Sequence, residues 1–221
     1  MKALSPSDQL FLLLEKRNQP MHVGGLQLLT PPADAGDAWL PEMIERMKRT
    51  VTATPPFNQR LVKRMGASFW AEDTEFDIEG HFFPLALPKP GRIRELLALV
   101  SQLHSSAMDR GRPLWELYII EGLEDGRIAL YCKIHHALVD GVAAMRLLQR
   151  MMSESPNDRD MPALWAIPPR ERKQSTPAIA VSTLTKLLND LKTQANTLPA
   201  VSRALWDTLK HARTDPDTVS I

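Results

Sequence analysis

Apolar residues along the chain follow two spacings, one typical of helices and the other typical of strands. An apolar stretch from 22 to 29 predicts a strand, because it is short and is followed at once by Pro31-Pro32. Short strands are also expected between 57 and 83. Apolar positions three and four residues apart, together with capping and turn residues, predict helices at 5–17, 39–51, 93–103 and 142–152.

The clearest strand signal is a hairpin between residues 115 and 135. Apolar residues alternate from Trp115 onward, and Asp125-Gly126 is typical of a tight turn between two strands. Side chains of a strand point alternately to its two faces. The alternation therefore predicts that His136 points inward and His135 points to the opposite face, since the apolar residues of the return strand are Ile128, Leu130, Cys132 and Ile134.

The composition changes near Pro162. Residues 168–175 are rich in proline and charge, which is typical of an exposed linker, and two helical segments follow. We therefore predict a domain at 1–161 and a linker with further helices at 162–221.

Composition narrows the classes of protein that the chain can belong to. It has 221 residues, 43% hydrophobic and 24% charged, with a formal net charge of +1, so no global field attracts nucleic acid. The single cysteine, Cys132, excludes an internal disulfide and a site of several thiolates. The start of the chain lacks the sustained basic-then-apolar run and the small-residue cleavage site of a signal peptide. The apolar stretch Leu10–Leu14 is too short to span a bilayer. We expect a cytoplasmic protein that at most lies on a membrane surface.

The run His135-His136-Ala137-Leu138-Val139-Asp140-Gly141 is the strongest candidate for chemistry. An inward histidine with an unperturbed pKa of about 6.5 is suited to act as a general base. Two other interpretations stay open at this point. The polar residues could form a hydrogen-bonded structural cluster, or His135, His136 and Asp140 could bind a metal. Adjacent histidines of a strand point apart, which disfavours the metal.

The same run resembles the HHxxxDG signature of the chloramphenicol-acetyltransferase-like superfamily, which includes peptide-synthetase condensation domains. The chain as a whole resembles a narrower group, the bacterial wax ester synthase/diacylglycerol acyltransferase family. Three segments besides the signature support this resemblance, and they are Leu4 through Asp8, Pro20 through Gly24 and Arg112 through Glu116.

The resemblance implies transfer of a fatty acyl group from acyl-CoA to a hydroxyl of a long-chain alcohol or of diacylglycerol. It implies that His136 deprotonates this hydroxyl, that the oxygen attacks the thioester directly, and that His135 supports the motif. Asp140 would have a structural role, pairing with an arginine, and Gly141 would keep the loop open toward the acyl donor. Acyl-CoA would be a co-substrate, with no other cofactor and no metal.

The resemblance also implies a fold and a set of partners. The fold would be of the α/β class, a two-layer α/β sandwich with a mixed sheet. The family's enzymes have two such halves with a tunnel between them, so the chain is expected to partner a carboxy-terminal half. Peripheral contact with a membrane or with lipid droplets is expected too, because the substrates are insoluble in water.

Three more residues are candidates for the wall of the substrate tunnel. Small side chains at Ala143 and Ala144 would leave room for an acyl chain, although alanine is also simply a good helix former. Trp115 could shape the tunnel or anchor the hairpin as a core residue. Two other functions stay open, an amide-forming acyltransferase of the condensation type and an inactive lipid-binding fragment.

Overall fold

A computed structural model describes residues 1–139, 141–155, 158 and 162–167. The chain divides into two compact units, Met1–Glu171 and Arg172–Ile221, and the described residues all lie in the first. The helical segments predicted beyond the linker lie outside the described residues. The boundary predicted between residues 161 and 162 stays a prediction.

The helices lie close to where the apolar spacing predicted them. The first begins after Ser5, whose side-chain oxygen accepts from the backbone N–H of Asp8, while the Asp8 carboxylate accepts from the Ser5 N–H. Pro6 occupies its first position, where a missing N–H has no cost. The described helices are α1 (Pro6–Leu14), α2 (Trp39–Lys48), α3 (Ile93–Ser105) and α4 (Gly141–Arg150).

The strands of the described residues form two sheets. They are β1 (Lys2–Ala3), β2 (His22–Leu29), β3 (Gln59–Arg64), β4 (Ala67–Glu72), β5 (Phe82–Ala86), β6 (Trp115–Glu121) and β7 (Ile128–His135). A small antiparallel sheet has the order β1-β4-β3, and a four-stranded sheet has the order β2-β7-β6-β5. In the larger sheet β5 pairs with β6 in parallel and the other pairs are antiparallel. The α/β class and the mixed sheet are confirmed.

Helices cover both faces of the four-stranded sheet. Leu130, Cys132 and Ile134 of β7 pack on one face with residues of α2 and α4. Ala129 and Tyr131 pack on the other face with α3. All eight residues of β7 are buried. The alternation along β7 therefore separates two cores and not a core from solvent.

This arrangement corrects one expectation about the paired histidines. The strand alternation predicts that His136 points into the core and that His135 does not. In the structure His135 is the more buried of the two, with 1% of its surface exposed. His136 is half-buried, because β7 ends at His135 and the chain turns there. Strand alternation is therefore not the property that makes His136 distinctive.

Trp115 lies at the centre of the larger core. Its side chain is fully buried, and its indole N–H donates to the carbonyl of Phe57 over 2.8 Å. The rings of His81 and Trp165 stack on it with centroids 4.7 and 5.6 Å away. These contacts are those of a core residue. They support the interpretation of Trp115 as an anchor of the hairpin and not as part of a tunnel wall. Trp165 also shows that the described start of the predicted linker, 162–167, packs into this core.

Within the part of the chain that the structure describes, none of the helices is long and apolar enough to span a bilayer.

Candidate active site

The histidine run lies where β7 ends and a tight turn leads into α4. The carbonyl of His135 accepts hydrogen bonds from the N–H groups of Leu138 (2.9 Å) and Val139 (3.3 Å). These bonds close the turn and place His136 directly after the strand. Asp140 lies outside the described residues, and α4 begins at Gly141. The roles predicted for Asp140 and Gly141 stay predictions.

His136 is held through its backbone and through one face of its ring. Its N–H donates to the carbonyl of Met21 over 2.9 Å, which extends the pairing of β7 with β2 by one residue. Its imidazole stacks on the ring of Phe11 in α1, with centroids 4.9 Å apart and planes 15° apart. Stacking uses the face of the ring, so it constrains the plane of the imidazole.

His135 has the contacts of a structural residue. Its Nδ1 accepts the backbone N–H of Ala137 over 3.0 Å, so a neutral ring must have its proton on Nε2. That nitrogen lies 3.3 Å from Oε1 of Glu15. Burial lowers the pKa of His135 to about 4, even though the carboxylate of Glu15 acts in the opposite direction. The ring is therefore neutral near pH 7 and shapes the turn that precedes Asp140.

A second polar cluster lies on the α3 side of the sheet. The ammonium of Lys133 is buried, pairs with Glu116 at 2.7 Å, and donates to the carbonyls of Leu103 and Ser106 at 3.0 Å each. It thereby satisfies the last carbonyls of α3, where a cation is favoured. The sequence pattern indicated only a polar residue at position 133, and its role as a helix cap depends on a contact 30 residues away.

His22 and His104 belong to the same side of the sheet. His22 is paired with His135 across β2 and β7, and its Nε2 lies 2.6 Å from the carbonyl of His104. Nδ1 of His104 lies 2.7 Å from the hydroxyl of Tyr131. Burial lowers the pKa of His22, so this ring is neutral near pH 7 as well. No local pattern in the sequence indicates this cluster, because its members come together only in the folded chain.

An apolar cavity of about 220 Å³ lies between β2, β7 and α4. Ile134, two residues before His136, contributes to its wall, and Ala144 contributes from α4. Ala143 packs against the core instead. Of the two predicted alanines, the structure thus places Ala144 at a cavity, and another residue of its lining, Ile134, is close in sequence to His136. Its lining is Val23, Gly24, Gly25, Cys132, Ile134, Ala144, Met145 and Leu148.

Among the described residues, no three His, Cys, Asp or Glu side chains come together as metal ligands would. The rings of His135 and His136 instead have separate partners, the first at Glu15 and Ala137 and the second at Phe11.

Comparisons with known proteins agree on one family. A family model of the wax ester synthase/diacylglycerol acyltransferase catalytic domain matches residues 4–220. An O-acyltransferase of Acinetobacter baylyi is 42% identical over 223 residues, which cover 100% of the chain and 47% of that protein. A probable diacylglycerol O-acyltransferase of Mycobacterium tuberculosis is 47% identical over 175 residues, covering 78% of the chain and 38% of that protein. The chain therefore spans about half, or less, of the length of these relatives.

Solved structures give the same result. The wax ester synthase/diacylglycerol acyltransferase from Marinobacter aquaeolei VT8 superposes with a TM-score of 0.72 at 46% identity, covering 97% of this chain and 47% of that one. The first condensation domain of the calcium-dependent antibiotic synthetase superposes with a TM-score of 0.53 at 16% identity, covering 67% of this chain and 35% of that one. The second likeness shows a shared fold alone.

Proposed function

Because the chain belongs to the wax ester synthase/diacylglycerol acyltransferase family, we propose that it is the amino-terminal half of an acyl-CoA-dependent O-acyltransferase. The acceptor is a long-chain alcohol, which gives a wax ester, or diacylglycerol, which gives triacylglycerol. Acyl-CoA is the co-substrate, and no further cofactor is invoked. The relatives are about twice as long, which supports a carboxy-terminal half as the partner.

One observation supports this function most strongly, the placement of His136. The tight turn after β7 and the stack on Phe11 hold its imidazole at the end of this strand, two residues after Ile134 in the wall of the apolar cavity. A base held in this way needs little reorganisation before it takes a proton. Histidine, with an unperturbed pKa near 6.5, is a residue type suited to proton transfer at neutral pH.

The proposed reaction has two proton transfers. His136 takes the proton of the acceptor hydroxyl while the oxygen attacks the thioester carbonyl carbon. The carbon–sulfur bond then breaks, and the imidazolium returns the proton to the departing thiolate of coenzyme A. No acyl-enzyme forms. In agreement, burial raises the pKa of Cys132 to about 12, so this thiol is a poor nucleophile near neutral pH.

In this proposal the rest of the motif holds the turn. His135 supports it from within the sheet, Asp140 orients it, and Gly141 keeps the approach of the acyl donor open. We further propose a cytoplasmic enzyme in peripheral contact with a membrane or lipid droplets, since both acceptors are insoluble in water.

The cavity beside Ala144 suggests a position for part of the acyl chain. We expect Ala144→Val to shift the preference toward shorter acyl-CoA, because two added methyl groups reduce the volume of the apolar cavity that Ala144 lines. Relative kcat/KM for dodecanoyl-CoA and palmitoyl-CoA should change by roughly 10-fold, the value of one or two methylenes in an apolar pocket. Ala143→Val is the matched control, because Ala143 does not line the cavity. An unchanged chain-length ratio in Ala144→Val would exclude this placement.

The assay for the function combines this chain with a carboxy-terminal half from the family, a pair called here the two-half enzyme. It is supplied with palmitoyl-CoA and, in separate reactions, hexadecanol, dipalmitoylglycerol or hexadecylamine. We expect wax ester or triacylglycerol with release of coenzyme A, and no palmitoylated protein by mass spectrometry. Amide formed faster than ester, or no product with any acceptor, would contradict the proposal.

A further inference from the structure

Glu15 follows α1 and lies behind the histidine turn. Its backbone N–H donates to the carbonyl of Phe11 over 3.1 Å, so it is tied to the residue on which His136 stacks. Its side chain is only 11% exposed. A carboxylate this well buried needs compensating partners, and the structure supplies them from separate parts of the chain.

Arg110 neutralises this carboxylate. Its Nε and Nη2 donate to Oε2 of Glu15 over 3.0 and 2.6 Å, and Nη2 also donates to the carbonyl of Leu12 over 2.9 Å. Burial by itself would raise the pKa of Glu15, but hydrogen bonds from Arg110 and Met21 outweigh it, and the pKa lies below its usual range. Glu15 is therefore an anion near pH 7, fixed in position by a charged donor.

The other oxygen, Oε1, faces the two segments that flank His136. It accepts the N–H of Met21 over 3.2 Å, and the carbonyl of that same residue accepts the N–H of His136 over 2.9 Å. It also lies 3.3 Å from Nε2 of His135. The contact between Oε1 of Glu15 and Nε2 of His135 is short enough for an ion pair but lacks the alignment of a good hydrogen bond. A negative oxygen at that distance nevertheless favours a proton on Nε2.

The tautomer of His135 connects Glu15 to the turn. With the proton on Nε2, Nδ1 is an acceptor and takes the N–H of Ala137, the residue after His136. With the proton on Nδ1, two N–H groups would face each other across 3.0 Å and the turn would have to open. Glu15 thus constrains the backbone in two ways. Through Met21 it constrains the backbone of His136 itself, and through His135 it constrains the backbone at Ala137.

We propose that Glu15, with Arg110 as its counterion, is a positioning residue for His136, an inference that rests on the proposed function of His136 as the base. Glu15 does not touch substrate in this proposal. It sets the tautomer of His135 and the path of the turn, and these fix where the His136 imidazole lies. A displacement of about 1 Å in a catalytic group is enough to lower a rate by roughly 100-fold.

The test is Glu15→Gln in the two-half enzyme. The amide keeps the shape, but it removes the negative charge and turns an NH₂ group toward one of its partners. We expect kcat for ester formation to fall by about 10- to 100-fold while KM for palmitoyl-CoA changes less than about 2-fold. Glu116→Gln is the matched control, because Glu116 is also a partly buried carboxylate, 19% exposed, with a cationic partner, Lys133. It should lower the melting temperature with little change in kcat.

A second readout needs no turnover. In the two-half enzyme labelled with ¹⁵N-histidine, nuclear magnetic resonance should show His135 as a neutral Nε2–H tautomer at pH 7 in the wild type and in Glu116→Gln. In Glu15→Gln a mixture of tautomers is expected. If the wild type forms no ester but the tautomer still depends on Glu15, the proposed function fails and the link from Glu15 to the turn stands. An unchanged tautomer, or equal losses of kcat in both variants, would overturn the positioning role.

Discussion

Replacing His136 with alanine is expected to lower kcat for ester formation by the two-half enzyme by about 100- to 10,000-fold, the usual contribution of a general base. Without the imidazole, the acceptor hydroxyl has no group placed to take its proton as it attacks the thioester. The measurement is release of coenzyme A from palmitoyl-CoA with hexadecanol as acceptor. Stability should change little, because the ring is half-buried and its stack on Phe11 is worth about 0.5–1.5 kcal/mol.

His104→Gln is a suitable control for this variant. His104 is an exposed histidine on the α3 side of the sheet, with a hydrogen bond to Tyr131. We expect nearly normal kcat in His104→Gln and a melting temperature close to that of His136→Ala. Equal turnover by His136→Ala and the wild type would exclude His136 as the base.

The largest expected effect on stability comes from Lys133→Met. The methionine fits a similar volume but leaves the carboxylate of Glu116 without its cation and the carbonyls of Leu103 and Ser106 without their donor. Removing one partner of a buried ion pair costs about 3–5 kcal/mol. For a domain of this size the melting temperature should fall by roughly 6–20 °C, measured by circular dichroism.

Two further variants separate the loss of the ion pair from a general effect of methionine. Lys63 is an exposed lysine of β3, and Lys63→Met should change stability by no more than about 0.5 kcal/mol. The double variant Lys133→Met with Glu116→Gln should recover part of the loss, because it no longer buries an unpaired charge. A fall of less than 2 °C in Lys133→Met would show that the ion pair does not anchor α3 to the sheet.

The elements of this fold were largely predictable from the sequence because each has a strong local signal. Helix α1 has a capping box and a proline at its start, and the β6–β7 hairpin has alternating apolar residues around Asp125-Gly126. The two-residue strand β1 has no such signal, and it exists only because β4 pairs with it. Its formation depends on tertiary contact that no local pattern reveals.

The candidate site was predictable in part. The motif identified His136, but strand alternation assumed a sheet with one covered face, and α3 covers the second face as well. Burial consequently singles out His135 and not His136, the opposite of what the alternation predicts. Glu15 and Arg110 are 95 residues apart, and neither stands out in a local pattern. Their pairing behind the turn required the folded chain.

The most direct test of the account is the distance between His136 and the acceptor. A crystal structure of the two-half enzyme with coenzyme A and hexadecanol, a complex that cannot react, would measure it. The account predicts the alcohol oxygen within about 2.6–3.2 Å of a ring nitrogen of His136. An imidazole in open solvent or bound to an ion, with the alcohol oxygen hydrogen-bonded elsewhere, would contradict it.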